Sequence, residues 1–184
     1  MLAVLLACPA ALFFILMGLL AIFIGRYAEV SILISRIPFY FGEYIRYLYY
    51  KITLKHVGRH VVFKYGSFCQ YTNTRIGDRV LIGYFCALGE VSMGDDIVVG
   101  GFVNFLSGRT QHSYSDPSQP ISSQKAPGRY MINIGSDVWI GSNSIIAANV
   151  GHRCVIGAGS VLMHNTEEGG VYVGNPARFV KKII

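Results

Sequence analysis

His112 and Asp116 stand four residues apart in a polar stretch, GRTQHSYSDPSQPISSQKAPGRYM, where Pro, Ser, Gln and Gly replace the apolar residues found on either side. An imidazole, with an ordinary pKa of about 6.5, can take a proton from a hydroxyl group near neutrality, and a nearby carboxylate can orient it. Two plainer assignments compete on residue type alone. A lone loop histidine also fits a solvated surface residue, and Asp116 ahead of Pro117 also fits a turn former. The other histidines lie elsewhere: His56 and His60 in a basic segment, His152 and His164 within or just after a repetitive region. No spacing among them suggests a metal site. The cysteines, Cys8, Cys69, Cys86 and Cys154, show no CxxC pair and read as apolar fillers in a reducing compartment.

The polar stretch interrupts a six-residue beat that must position it. Ile76, Ile82 and Leu88 are each followed by Gly; the beat slips by one residue to Met93, then continues through Val99 and Phe105. It resumes at Ile134, Ile140 and Ile146, takes a step of four to Val150, and continues through Ile156 and Leu162. This period fits neither a helix nor an ordinary strand. It predicts a parallel β-helix whose aliphatic residues stack from coil to coil, because no single repeat can bury its own apolar side chain. Residues 57–166 form this solenoid, 57–74 being a degenerate first coil, and 107–131 an ejected loop. Loops ejected from rigid scaffolds are favoured places for function. Residues 167–184 read as a cap: a strand, a Gly-Asn-Pro turn and a basic amphipathic tail.

The N-terminal third differs in character. Of 184 residues 52% are hydrophobic and only 14% charged, with a formal net charge of +6 and a mean hydropathy of +0.43. Residues 2–25 contain no charge. A helix of that length rises about 36 Å, against a hydrocarbon core of about 30 Å. The expectation is a transmembrane helix, or a re-entrant one kinked at Pro9 or Gly18, over residues 1–25. Leu5-Leu6-Ala7-Cys8 looks like a lipoprotein cleavage box but lacks a basic start and a long enough apolar run before it. Arg26, Arg36, Arg46, Lys51, Lys55 and Arg59 follow, which predicts that the remainder lies on the cytoplasmic side. Glu29, Arg36 and Glu43 recur every seven residues, so 26–56 reads as amphipathic helices split by Pro38, with an aromatic run suited to a membrane interface. The positive balance favours anionic partners, but nothing resembles a nucleic-acid reading motif.

VWIGSNSII, VIGAGSVL and VYVGNPARFV, with a histidine in an ejected loop, make residues 57–180 similar to the left-handed β-helix acyltransferases of the hexapeptide-repeat superfamily. That superfamily includes galactoside, serine and xenobiotic O-acetyltransferases; polysaccharide or lipid-linked sugar acetyltransferases are nearest in pattern. The resemblance implies an all-β catalytic region, a left-handed parallel β-helix, acetyl-CoA as acyl donor, and His112 as general base with Asp116 as its partner. It implies a homotrimer with each active site shared between adjacent subunits. In relatives the pantetheine arm runs between subunits along small residues and the 3′-phosphate meets a basic tail; the matching positions are Trp139, Ser142, Ala158, Arg178 and Lys181. His164 stands where relatives often carry Lys or Thr, and Asn104 could hold an acceptor hydroxyl. The Ile146–Val150 step is two residues shorter than the family pattern.

Taken with the apolar N-terminus, the expected activity is membrane-associated transfer of acetyl to a sugar hydroxyl on a lipid-linked or surface glycan, at the inner membrane. Membrane lipid and the glycan are the expected partners. The alternatives are an amino-sugar N-acetyltransferase of the same fold and a non-catalytic trimeric membrane scaffold.

Overall fold

In a computed structural model the backbone of residues 2–107 and 112–183 is described, with side chains from residue 9 onward. The Cys8 side chain and residues 108–111 of the ejected loop lie outside what is described. Three helices open the chain: α1 (Leu2–Phe23), α2 (Tyr27–Ser35) and α3 (Phe39–Thr53). Short strands then wind a triangular solenoid. The first coil is β1 (His56–Val57), β2 (Val62–Phe63) and β3 (Phe68–Cys69), and the second β4 (Arg75–Ile76), β5 (Leu81–Ile82) and β6 (Ala87–Leu88). The third is β7 (Val91–Met93), β8 (Ile97–Val99) and β9 (Asn104–Phe105), and the fourth β10 (Ile132–Ile134), β11 (Val138–Ile140) and β12 (Ile145–Ile146). In the fifth, a single parallel bridge from Ile134 to Val150 stands in for a strand, before β13 (Val155–Ile156) and β14 (Val161–Leu162). The chain ends in β15 (Gly170–Val173) and β16 (Arg178–Lys182).

Three sheets form the faces of the prism: face A orders β1-β4-β7-β10, face B β16-β15-β13-β11-β8-β5-β2, and face C β14-β12-β9-β6-β3. Within faces A, B and C the coils pair in parallel, Ile76 beside Met93, Val99 beside Ile140, and Ile146 beside Leu162. The inward residues Ile76, Ile82, Leu88, Val99, Ile140, Ile146 and Ile156 are buried, forming the column that the six-residue beat predicts.

The spacing carries more information than its period. From face A to face B, and from B to C, the residues of the beat stand six positions apart: Val57, Phe63, Cys69; Ile76, Ile82, Leu88; Met93, Val99, Phe105; Ile134, Ile140, Ile146; Val150, Ile156, Leu162. All length variation is confined to the corner from C back to A. Cys69 to Ile76, Leu88 to Met93, the ejected loop, and Ile146 to Val150 all occur there. The short step is closed by side chains. Asn133 N–H donates to Asn149 Oδ1 at 2.8 Å, Asn149 N–H to Asn165 Oδ1 at 3.0 Å, and Gly151 N–H to Thr166 Oγ1 at 2.8 Å. Side-chain oxygens thus replace the backbone acceptors a longer turn would supply.

The expectation of a spanning or re-entrant helix over 1–25 is overturned: among the described residues, no helix is long and apolar enough to cross a membrane. Hydropathy alone does not separate a lipid-facing helix from one that packs on protein. Here α1 lies along α3 through small residues. Ala11 and Ala21 are buried, and a Cβ on Gly18 would collide with the Tyr49 ring. The fold is therefore a parallel β-helix with a packed three-helix cap. α2 and α3 close the lower end of the solenoid, with the Tyr50 ring 4.5 Å from that of Phe63. Cys69 N–H, on the open edge of face C, donates to Ser31 Oγ at 3.1 Å and to Tyr50 Oη at 3.2 Å. An exposed sheet edge is thereby covered and its donor satisfied. Cys69, Cys86 and Cys154 are buried and free, and burial pushes the Cys86 thiol up to about 11, so it stays protonated and inert at neutral pH.

The corner from A to B is a charged ladder built on left-handed backbone. Arg79, Asp96, Asp137 and Arg153 adopt positive φ of 57°, 59°, 57° and 53°. Arg79 donates to Asp96 at 2.6 and 2.7 Å, and Arg59 to Asp78 at 2.7 Å from its backbone N–H and 3.2 Å from its side chain. Hydrogen bonds from Arg59 N–H and Arg79 hold the Asp78 and Asp96 carboxyls, respectively, below the ordinary carboxylate range. Folding therefore favours their charged forms, and the benefit is complete above the unfolded value of about 3.9. It is lost as pH falls through the depressed folded values. We expect the thermal midpoint to drop between pH 5 and pH 3, and the drop to shrink in Asp96→Asn. Scanning calorimetry across that range tests this, an unchanged pH slope in the variant being the contrary result.

Candidate functional site

The C-to-A corner that varies in length also carries the candidate chemistry. His112, exposed, opens onto a cavity of about 480 Å³ lined also by Tyr71, Glu90, Ala126, Gly128 and Arg129. Tyr71 comes from the corner of the first coil, Glu90 from that of the second, and Arg129 from the returning limb of the ejected loop. The base of that loop is firmly sewn to the solenoid. Glu90 N–H donates to Ser107 Oγ at 2.9 Å, Ile132 N–H to Glu90 O at 3.0 Å, and Tyr130 N–H to Ser107 O at 3.0 Å. Arg129 Nε reaches Glu90 Oε1 at 3.4 Å, and its guanidinium carbon lies 4.3 Å from the centre of the Tyr71 ring. The cavity thus offers a proton acceptor, a carboxylate and a guanidinium beside an aromatic ring, a set able to bind and deprotonate a hydroxyl compound.

Tyr71, Glu90 and Arg129 do not emerge from sequence reasoning, because they are separated along the chain and meet only through coil stacking. The available signals were Glu90 at the five-residue step after Leu88 and Arg129 as the last cation before the beat resumes.

Asp116 is placed in its own turn. Its Oδ1 accepts from Ser118 N–H at 2.9 Å and Ser118 Oγ–H at 2.6 Å, and its Oδ2 from Gln119 Nε2 at 2.9 Å. These bonds, that from the Ser118 hydroxyl foremost, hold its carboxyl below the ordinary range. Among the described hydrogen bonds none joins Asp116 to His112, so the turn-forming role is the one the geometry displays.

The residues matched to the acyl donor lie on another part of the prism. Trp139 projects outward from face B, 57% exposed, in register with Val98 of β8 and Val155 of β13. Ser142 and Ala158 stack at the corner from B to C. Ser142 Oγ accepts from Gly101 N–H at 3.1 Å, and Gly159 N–H donates to Ser142 O at 2.8 Å. A Cβ on Gly100 would come within 2.6 Å of Ser142 N, so coils can stack here only without one. Arg178 and Lys181 are exposed on β16, which pairs antiparallel to β15 (Val173 opposite Arg178, Val171 opposite Lys181) and extends face B. The basic tail is thus a strand at the sheet edge. Asn104 points outward from face C between Ala87 and Ile145. His164 is exposed at the C-to-A corner of the last coil, next to the Asn165 that closes the short step. Within one chain, then, Trp139, Ser142, Ala158, Arg178 and Lys181 cluster on face B and its far corner, while His112 stands at the opposite corner.

This architecture is that of a hexapeptide-repeat β-helix protein, and the sequence profile described as the hexapeptide repeat of succinyl-transferase matches residues 131–163. The chain carries that repeat over those residues and displays the fold it winds. It is 34% identical over 115 residues to the probable macrolide acetyltransferase of Lysinibacillus sphaericus, a match covering 58% of this chain; the chain spans 62% of that relative's length. Among solved structures, the maltose O-acetyltransferase of Clostridium difficile 630 superposes with a TM-score of 0.68 at 23% identity, covering 86% of each chain. A hexapeptide-repeat acetyltransferase of Vibrio cholerae O1 biovar eltor, complexed with acetyl coenzyme A, gives 0.60 at 22% identity over 84% of each. At such identities these two likenesses bear on the fold.

Proposed function

We propose that this chain is an acetyl-CoA-dependent O-acetyltransferase that acts as a homotrimer on a glycan hydroxyl at a membrane surface. The separation of His112 from the Trp139 group is the observation that carries the reading. One prism holds a candidate base at one corner and a candidate donor wall on another face, and a neighbouring copy would bring the two together. The donor wall suits a thin pantetheine arm. Trp139 offers a flat ring, and the upper coils of the B-to-C corner present the short side chains of Ser142, Asn143 and Ala158, with Arg178 and Lys181 along face B for phosphate. Acetyl-CoA is the source of an acyl group activated as a thioester. His112 takes the proton of the acceptor hydroxyl as its oxygen bonds to the acyl carbon, and returns it to the departing sulfur. Glu90 and Arg129 line the approach to that hydroxyl.

The membrane part of the reading is supported by the helical cap. Leu12, Phe13, Leu16, Leu20, Phe23 and Ile24 are exposed on and just after α1, with Arg26, Arg36, Lys51 and Lys55 exposed nearby in sequence. Apolar and cationic surface together suit peripheral contact with an anionic bilayer, at the cytoplasmic face of the inner membrane. The acceptor is then a lipid-linked or surface glycan presented there.

The test is release of CoA thiol from acetyl-CoA, with and without membrane-extracted glycolipid. Release that depends on the glycolipid, with acetyl found on its sugar by mass spectrometry, is the expected result. Release only with free soluble sugars removes the glycolipid acceptor. No binding of acetyl-CoA in a thermal-shift assay removes the enzyme altogether and leaves a scaffold.

A further inference from the structure

We infer that the cleft between α3 and the first coil holds the apolar chain of an anionic long-chain amphiphile. The inference rests on the bilayer contact proposed above and is independent of acetyl transfer. Tyr40, Glu43, Tyr44 and Tyr47 recur at helical spacing on one side of α3 and face Arg59–Val62 across a cavity of about 590 Å³. Two of its polar groups are already committed. Glu43 accepts from Lys64 Nζ at 2.8 Å, and Tyr47 Oη donates to Gly58 O at 3.3 Å. Apart from Arg59 and His60 on its rim, the cleft offers a ligand mostly ring and aliphatic surface from Tyr40, Tyr44, Tyr47, Val61 and Val62, which suits a hydrocarbon body better than a polyhydroxylated one.

The start of α3, next to the cleft residue Tyr40, supplies a second observation. Phe39 and Tyr40 are each 82% exposed, and Phe39 adopts φ of 60°, a strained conformation for a bulky residue. It is held there: Gly42 N–H donates to Pro38 O at 3.1 Å, and buried Arg46 donates to Ile37 O at 2.8 Å. The chain therefore keeps two adjacent rings turned to solvent at a conformational cost. Aromatic rings so placed partition to headgroup depth.

Charge identifies the head that accompanies the chain. Residues 51–64 contain Lys51, Lys55, Arg59 and Lys64 and no carboxylate; Lys64 is taken by Glu43, while Arg59, its side chain 79% exposed on the cleft rim beside His60, also reaches Asp78 at 3.2 Å. An anionic head above the rim with its tail beneath Tyr44 satisfies both surfaces, and a bilayer of anionic lipid is the source that would present it.

Photolabelling of the full chain tests this with hexadecyl phosphate carrying a diazirine near the chain terminus, below its micelle concentration. The expected result is adducts within 40–47 and 59–64, competed by unlabelled hexadecyl phosphate but not by inorganic phosphate. Val62→Trp, which fills the cleft, and Tyr44→Glu, which charges it, should each lower labelling at least tenfold without altering acetyl-CoA binding. Adducts confined to α1, adducts scattered over the chain, or no labelling of the wild-type protein overturn the inference. So does protection of α3 by a second copy instead of by lipid, seen as concentration-dependent hydrogen exchange. Cleft labelling without acetyl transfer to glycolipid would sink the proposed function and leave this site standing, and transfer without labelling would do the reverse.

Discussion

Replacing His112 with Ala should lower kcat a hundredfold or more while leaving acetyl-CoA affinity within about twofold. A hundredfold loss corresponds to about 2.7 kcal/mol of barrier, which is what a positioned base supplies when a neutral hydroxyl must attack a thioester. Affinity should hold because the His112 cavity is lined by Tyr71, Glu90, Ala126, Gly128 and Arg129 and shares no residue with the Trp139 wall. Folding should hold too, since His112 is exposed in the ejected loop and buries no apolar surface. Asp116→Asn offers the contrast. Both Asp116 oxygens are occupied by Ser118 and Gln119, so its loss should disturb the turn and change kcat only a few-fold. Steady-state CoA release on both variants decides the matter. Turnover near wild type in His112→Ala would remove it as base, and an equal collapse in Asp116→Asn would restore the dyad that the turn geometry does not display.

The solenoid was legible because its information is repeated. Each inward Ile, Val or Leu meets its counterpart one coil away, so the spacing of six from face A to B to C is forced by the common cross-section. The corner from C to A is under no such constraint, and there the sequence offered irregularity without geometry. The step from Ile146 to Val150 looked like missing residues; it is a turn in which Asn149, Asn165 and Thr166 supply the acceptors. Glu90 and Arg129 were not legible as neighbours of His112, because only the closing of the loop brings residues 39 positions apart together. The N-terminal segment was misread for a different reason. Length and hydropathy are shared by spanning helices and by helices packed on protein, and the discriminating pattern is the small stripe Ala11, Gly18 and Ala21 that seats α1 against Tyr49.

The same corner explains how one scaffold can hold a fixed wall and an adjustable site. Faces A, B and C are locked by coil stacking, so Trp139, Ser142 and Ala158 cannot shift without disturbing the apolar column beneath them. The loop carrying His112 leaves and re-enters where coil length is free to vary, anchored at its base by Ser107, Glu90, Tyr130 and Ile132. An acceptor site built there can change shape at little cost to the core.

Arg46→Ala should destabilise the protein by about 2–5 kcal/mol, because buried carbonyls lose their donor at about 1–3 kcal/mol each. Arg46 is fully buried, and desolvation lowers its pKa from the ordinary arginine value. Its Nε donates to Phe63 O at 2.9 Å, and its Nη1 to Ile37 O at 2.8 Å, Ile34 O at 3.3 Å and Ser35 O at 3.4 Å. One guanidinium therefore ties the C-terminal carbonyls of α2, the turn into α3 and the first coil of the solenoid. Ile34 O also accepts from Ile37 N–H at 3.1 Å and Ser35 O from Gly66 N–H at 2.8 Å, so alanine would take the donor from Ile37 O and Phe63 O above all. Arg46→Lys keeps the charge but not the fork that spans two elements, so it should recover only part of the loss. The signature should be local before it is global: amide exchange in 27–57 should rise most, with the coils from Ile76 to Leu162 retaining protection. A thermal midpoint within a degree of wild type, or uniform loss of protection along the chain, would show that the cap does not depend on this residue.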